Sequence, residues 1–215
     1  MTQPPITMID YGGSNLRSAQ KAFEAVGGRV RISDDPDVVR RAERLVLPGV
    51  GAFGAGMEAL RRRGLDEATR EAVGRGAPLL GICLGMQFLF DESDEMGRHA
   101  GLGLLPGRVV RFADGLLGPD GRPLKVPHMG WNEIAHDGCH PLLAGVAFGA
   151  HAYFVHSYYC QPAERQCVLA WADYGGPFAA VVARGRVYGI QFHPEKSHRV
   201  GLGILRNFVT MGEGG

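Results

Sequence analysis

The stretch Gly81-Ile82-Cys83-Leu84-Gly85-Met86-Gln87 constrains this chain more than any other. The apolar run Ala77-Pro78-Leu79-Leu80 precedes it, and a helix-like segment, 86–90, follows. A strand, a cysteine flanked at two-residue distance by glycines, and a helix make a nucleophile elbow with sulfur in place of the usual hydroxyl. So tight a turn strains the backbone of its central residue, and a side chain at 81 or 85 would collide with the strand or the helix. The geometry lifts the sulfur off the sheet edge and sets it near a helix N-terminus, where the macrodipole and free N–H groups favour thiolate. The N–H of Leu84, the residue after the nucleophile, is positioned to stabilise an oxyanion. For the heptapeptide alone, a buried structural cysteine is the alternative.

The chain before the elbow alternates short strands with helices. Ile6 to Asp10 reads as a buried strand, 11–15 as a turn, and Leu16, Ala19, Phe23 and Val26 then share one helical face. A second short strand spans Arg29 to Ile32, and Asp35 caps a small helix from Pro36 to Arg41. Leu45-Val46-Leu47 is a third strand, running into Pro48-Gly49-Val50-Gly51-Ala52-Phe53. Four glycines and a proline within 48–56 make a special backbone there. It is either a plain strand-to-helix turn before a helix at 55–62, or a second wall of backbone N–H groups facing Cys83. A further helix at 65–73 leads to the strand before the elbow. This alternation predicts a parallel sheet with helices on both faces, whose ligands sit at the carboxyl ends of the strands.

After Gly97 the texture changes. Strand-like runs at 108–112, 124–135, 152–160, 167–174, 178–183 and 187–192 are separated by Gly, Pro and Asp turns, with no helical period until 200–211. The expected fold is therefore α/β. It is an open mixed sheet, parallel strands with helices on both faces, plus an added antiparallel section. No linker, repeat or low-complexity tract divides the chain, so residues 1–215 are expected to form a single domain.

The last of those runs ends in His193-Pro194-Glu195. On extended backbone, residues two apart point the same way, so His193 and Glu195 face one cleft. Proline between them favours extended backbone at His193 and fixes its own φ. Next to a cysteine nucleophile, His193 would take the thiol proton and later protonate the leaving amine, while Glu195 holds the ring tautomer and stabilises imidazolium. Taken with the elbow and the glycine loop, the pattern points to a cysteine hydrolase or amidotransferase.

Composition narrows the field by exclusion. Net charge is +1, which gives no basis for binding nucleic acid or an anionic membrane. The four cysteines (83, 139, 160 and 167) do not form a disulfide framework or a paired C-x-x-C, so neither disulfides nor a metal site are expected. No apolar run approaches a membrane span, and a reducing cytoplasm, which leaves a thiol free to react, is the expected compartment. His128 and His156 sit in apolar strands and read as hydrogen-bonded structural residues. Cys139, His136 and His140 lie in a turn without further metal-ligating partners.

The motifs as a set resemble a known family. G-I-C-L-G-M-Q at 81–87 with F-H-P-E-K-S at 192–197 resembles the class I (triad) glutamine amidotransferases. P-G-V-G-A-F at 48–53, V-P-H-M-G-W-N at 126–132 and Y-F-V-H-S-Y at 153–158 are similar to the glutaminase subunits of imidazole glycerol phosphate synthases within it. The blocks at 10–18 and 102–112 agree, with one departure, Ser14 where the family usually has Gly. The resemblance implies Cys83 as nucleophile, His193 as base and Glu195 as its partner. Val50 and Gly51 would supply a mobile oxyanion peptide, and Leu84 a fixed donor. It implies that Gln87 and Glu95 help hold glutamine, with Gly49 and the Ser157-Tyr158 backbone also against the substrate. No cofactor is implied. The implied partner is a (βα)8-barrel cyclase subunit that receives ammonia, and Asn15, Tyr153 and Lys196 are the candidates for the docking face and ammonia gate. Three alternatives stand beside this reading: a glutaminase subunit for an anthranilate- or pyridoxal-phosphate-type synthase, a non-catalytic glutamine-binding regulatory subunit, and a stand-alone cysteine peptidase.

Overall fold

The computed structural model describes residues 4–13 and 15–211. Ser14, the one departure from the family pattern, lies outside them. In chain order the elements are β1 (Ile6–Ile9), α1 (Leu16–Ala25), β2 (Val30–Ser33), α2 (Pro36–Arg40), β3 (Leu45–Gly49), α3 (Phe53–Arg62), α4 (Leu65–Gly74), β4 (Leu79–Cys83), α5 (Leu84–Gln87) and β5 (Phe90–Ser93). They continue as β6 (His99–Ala100), β7 (Leu105–Arg111), β8 (His128–Ile134), β9 (Ala150–His156), β10 (Tyr158–Pro162), β11 (Val168–Asp173), β12 (Pro177–Arg184), β13 (Val187–Ile190) and α6 (His198–Thr210).

A seven-stranded sheet in the order β11-β12-β13-β4-β3-β1-β2 forms the frame. Its five strands from β13 to β2 run parallel, and β12 and β11 extend the β13 edge antiparallel. The four inner parallel strands β13, β4, β3 and β1 are buried along their whole length and read as largely apolar runs because both faces are covered, whereas β2 is a partly exposed edge. Along β3, Val46 packs into the cluster that also holds Phe23, Leu205 and Phe208 of α1 and α6. Its neighbours Leu45 and Leu47 turn to the opposite face, with Val39, Met57, Leu60, Leu65 and Ala68 of α2, α3 and α4. That is the alternation a pleated strand imposes. Phe23 and Phe208 meet edge to face at 6.3 Å, which locks α1 to α6. At α2, the Asp35 carboxylate accepts the Asp37 N–H at 2.8 Å with Pro36 in the first turn, the expected cap.

The second half is built in two further sheets. One has the order β10-β7-β5-β6, and the other is the β8–β9 hairpin. The added antiparallel section thus both extends the main sheet and packs beside it, and one of its pairs, β5 with β7, is parallel. Several boundaries differ from the sequence reading. The helix expected at 86–90 is a single turn, Leu84–Gln87, because Phe90 leaves it to pair with Leu105. The run 152–160 is not one strand: it breaks at Ser157, with β9 pairing β8 and β10 pairing β7. The run 124–135 is strand only from His128, the peptide before Pro127 being cis. The second strand lies one residue later than expected, and the last helix begins at His198.

Candidate active site

The parallel strands deliver three loops to one place. Register sets Gly49 at the end of β3 directly beside Cys83 at the end of β4, and Ile190 of β13 beside Ile82. Cys83 has φ 55° and ψ −114°, a conformation that L-residues rarely adopt and that costs on the order of 1–3 kcal/mol. The glycines around it make this possible. A methyl group at Gly81 would lie 2.5 Å from the Gly85 carbonyl oxygen, and one at Gly85 only 1.7 Å from that of Leu47. The elbow is therefore as expected, but the helix behind it is one turn long. The field of a long helix is not there to favour thiolate.

His193 stands within hydrogen-bonding reach of the sulfur. It is buried, and its Nδ1 lies 2.8 Å from Oε1 of Glu195. Burial alone would lower its pKa, but hydrogen bonding with Cys83 and Glu195 and the negative charge of both outweigh it, pushing His193 up to about 10. Glu195 Oε2 is buried without a partner among the described residues. Ser197, fully buried, anchors the turn: its hydroxyl donates to the His193 carbonyl at 2.7 Å and accepts the Tyr153 N–H at 3.0 Å. Sequence reasoning gave Ser197 no role, although it closes the F-H-P-E-K-S block.

In front of the sulfur is a cavity of about 330 Å³. Its lining includes Val50, Gly51, Leu84, Gln87, Glu95, Ser157 and Tyr158, so the expected oxyanion and substrate residues converge there apart from Gly49. Gly49 lines a separate small crevice, together with Asn15, Val50, His193 and Glu195. The Gln87 amide donates to the Tyr158 carbonyl at 3.0 Å and faces Gln191 Oε1 at 3.3 Å. Gln191, fully buried, is a support that the sequence reading missed. One carboxylate oxygen of Glu95 accepts the Phe53 N–H at 2.6 Å, tying the cavity wall to the start of α3 just after the glycine loop.

Tyr153 and Lys196 do not line the cavity. They lie on the surface next to His193, the Lys196 Nζ 5.5 Å from the Tyr153 ring centroid and the Tyr153 carbonyl accepting the His193 N–H at 2.9 Å. Trp131 meets Tyr153 edge to face at 5.8 Å and stacks on His198 at 5.1 Å. His198 was not singled out in the sequence, because only the β9–β8 pairing and the turn after His193 bring it to Trp131. No helix among the described residues is long and apolar enough to cross a membrane.

The model of the family "Glutamine amidotransferase class-I" matches residues 7–211. The chain belongs to that family. It is 53% identical over 206 residues to the imidazole glycerol phosphate synthase subunit HisH of Syntrophotalea carbinolica, covering 96% of this chain and all of that one. It is also 53% identical over 204 residues to the HisH of Geobacillus thermodenitrificans, covering 95% and 94% of the two chains. These relatives make this amidotransferase a HisH-type glutaminase subunit of histidine biosynthesis. Among solved structures, PurLQS from Thermotoga maritima shares the fold with a TM-score of 0.73 at 21% identity, over 96% of this chain and 98% of that one. A crystal structure of a glutamine amidotransferase matches with a TM-score of 0.69, also at 21% identity, over 93% and 98%.

Proposed function

We propose that Cys83, His193 and Glu195 are the catalytic set of this glutaminase, acting as one domain across the whole chain. The observation that carries the reading is the strained elbow holding Cys83 beside a His193–Glu195 pair at 2.8 Å, with Cys83 and His193 both lining one cavity. His193 takes the Cys83 thiol proton as the sulfur attacks the γ-carboxamide carbon of glutamine. As the C–N bond breaks, His193 gives its proton to the departing nitrogen, releasing ammonia and leaving a γ-glutamyl thioester. Water then attacks the thioester, His193 takes its proton, the C–S bond breaks, and glutamate leaves.

Leu84 N–H and the Val50-Gly51 peptide are the donors for the oxyanion in both steps. Glu95 and Gln87, with the Ser157-Tyr158 backbone, hold the substrate. Gly49 fixes the near edge by its contact with the elbow. Ammonia leaves toward a (βα)8-barrel cyclase subunit docked on the strand-end face, where Asn15, Tyr153 and Lys196 line the gate. The near-complete match to HisH chains favours this partner over the synthases of anthranilate or pyridoxal phosphate. Four unpaired cysteines fit a reducing cytoplasm.

The test is to mix the purified chain with the barrel cyclase and follow imidazole glycerol phosphate formation with glutamine or with ammonia as nitrogen donor. Glutamine is expected to support synthesis only when both chains are present. Synthesis from ammonia but not from glutamine, with both chains folded and associated, would overturn the reading.

A further inference from the structure

Of two histidines that the proposed chemistry does not use, His156 belongs to the pocket wall and His128 stands behind it. His128 of β8 and His156 of β9 are register partners across the hairpin, and both are buried. His156 Nδ1 lies 2.8 Å from the Tyr158 carbonyl oxygen. A carbonyl only accepts, so this nitrogen carries the hydrogen and donates. In the neutral ring Nε2 is then an acceptor, and the group facing it, at 3.1 Å, is His128 Nδ1. His128 therefore also carries its hydrogen on Nδ1. Its Nε2 accepts in turn from the Asn132 amide at 3.4 Å, and the same amide donates to the Asp173 carbonyl at 2.7 Å. Donation runs in a single direction, from Asn132 through His128 and His156 to the Tyr158 carbonyl.

The surroundings keep both rings neutral. His128 is sandwiched between Tyr174, at 4.0 Å, and Phe154, at 5.0 Å, and Phe112 and Phe178 pack against both histidines. Burial holds His128 down to about 4 and His156 to about 3. A second proton on His156 would set two donors against each other at 3.1 Å.

The chain of bonds ends where the substrate is expected to sit. The Tyr158 carbonyl also accepts from Gln87, so it is held from two sides, by α5 next to the nucleophile and by His156. Residues 155–158 form the kink where the chain leaves β9 for β10, and they line the cavity. On β8 the alternation turns His128 and Asn132 inward while Met129 and Trp131 face out, at 62% and 47% exposure. One strand thus carries an exposed apolar face and, on its reverse, the groups that lead to the pocket wall.

We propose that His128 and His156 are positioning residues for glutamine. Their ordered hydrogen bonds hold the Tyr158 carbonyl, and with it the 155–158 wall, in the shape that grips the substrate. The proposal rests on the glutaminase reading above and deepens it.

The experiment uses the complex with the barrel cyclase. His128→Leu removes the donor to His156, and the KM for glutamine is expected to rise about tenfold, the loss of roughly one buried hydrogen bond. The kcat and the ammonia-dependent synthesis are expected to hold. His128→Asn places an amide donor near the position of Nδ1 and is expected to restore most of the affinity. A merely structural pair would lower the melting temperature without splitting KM from kcat. An unchanged KM in folded His128→Leu, or no rescue by Asn, overturns the proposal. If the Leu variant does not fold, imidazole 15N shifts of the wild-type chain decide: both rings should be neutral with the hydrogen on Nδ1, and an Nε2–H tautomer at His156 overturns it. Failure of the glutaminase reading would look different, because wild-type complex would then make product from ammonia alone.

Discussion

Two glycine-rich turns stand side by side at the carboxyl ends of β3 and β4, and they differ in how they are held. In the elbow, every glycine is enclosed: Cβ atoms at 81 and 85 would strike backbone at 2.5 Å and 1.7 Å. Gly49 shares that enclosure, since a methyl there would lie 2.8 Å from the Gly85 nitrogen. Two residues later the loop is open. Gly51 has φ +98° with no atom within 4 Å of a would-be Cβ, and Val50 is 44% exposed. Enclosure fixes one geometry, whereas an open glycine can exchange peptide orientations at little steric cost. The sulfur is therefore locked in place opposite a wall that is free to turn. With Cys83 as the proposed nucleophile and the Val50-Gly51 peptide as the proposed oxyanion donor, that division would let a partner switch the donor without moving the sulfur.

The largest effect should come from emptying the locked turn without disturbing it. Cys83→Ala is expected to cut glutamine-dependent synthesis by roughly 10⁴-fold or more while ammonia-dependent synthesis continues. A glutamine-like electrophile should modify Cys83 in the wild type. Cys160 and Cys167 are buried and burial pushes both thiols up, so neither should react. Cys139 is exposed, which makes it the informative control. Equal labelling of Cys139 and Cys83 would mean that the elbow confers no selective reactivity.

Next in size is the group that takes the proton in the locked half. His193→Asn is expected to cost roughly 10²–10⁴-fold. Glu195→Gln should cost less, because an acceptor remains for the His193 Nδ1 hydrogen and only the charge is gone. The charge does have a signature in pH. Glu195 is among the groups that raise His193, so its loss lowers the imidazole pKa from about 10. The protonated acid that releases ammonia is then lost earlier as pH rises. The alkaline fall in kcat/KM should accordingly move to lower pH in Glu195→Gln. A profile that stays in place would leave Glu195 with an orienting role only.

This asymmetry also explains what could be read in advance. The elbow and the His-Pro-Glu turn were legible because local backbone demands put glycine at 81 and 85 and proline at 194. The parallel strands were legible because burial on both faces leaves apolar runs. The break at Ser157 was not: 152–160 is continuously strand-like, and only pairing of Tyr158 with Arg111 and of His156 with His128 divides it. The short strand β5 was hidden for the same reason, since tertiary pairing draws Phe90 away from a helix that its sequence would extend. His128 and His156 are 28 residues apart, and hairpin register alone makes them neighbours. Val50 and Gly51 were recognisable as special, but both turns carry the same glycine signature. Their difference lies in what surrounds them.

The smallest effects should come from the open turn, and they test the comparison most directly. Gly51→Pro removes an N–H and restricts the backbone, so stimulated glutaminase should fall roughly 10²–10³-fold, the loss of one oxyanion donor, with docking intact. Gly51→Ala is milder and more telling. There is space for its methyl group, so the only penalty is the positive φ, about 1–2 kcal/mol for an L-residue. That penalty falls on the conformation seen here. If the stimulated loop adopts a negative φ at this position, alanine disfavours the resting state alone, and about 1 kcal/mol shifts the equilibrium roughly fivefold. Glutaminase activity without the partner should then rise several-fold, and the stimulation by partner and ligand should shrink by a similar factor. If instead Gly51→Ala lowers the stimulated rate and leaves the basal rate alone, the working conformation also needs positive φ. The open turn would then be a fixed donor, and the contrast with the elbow would reduce to exposure alone.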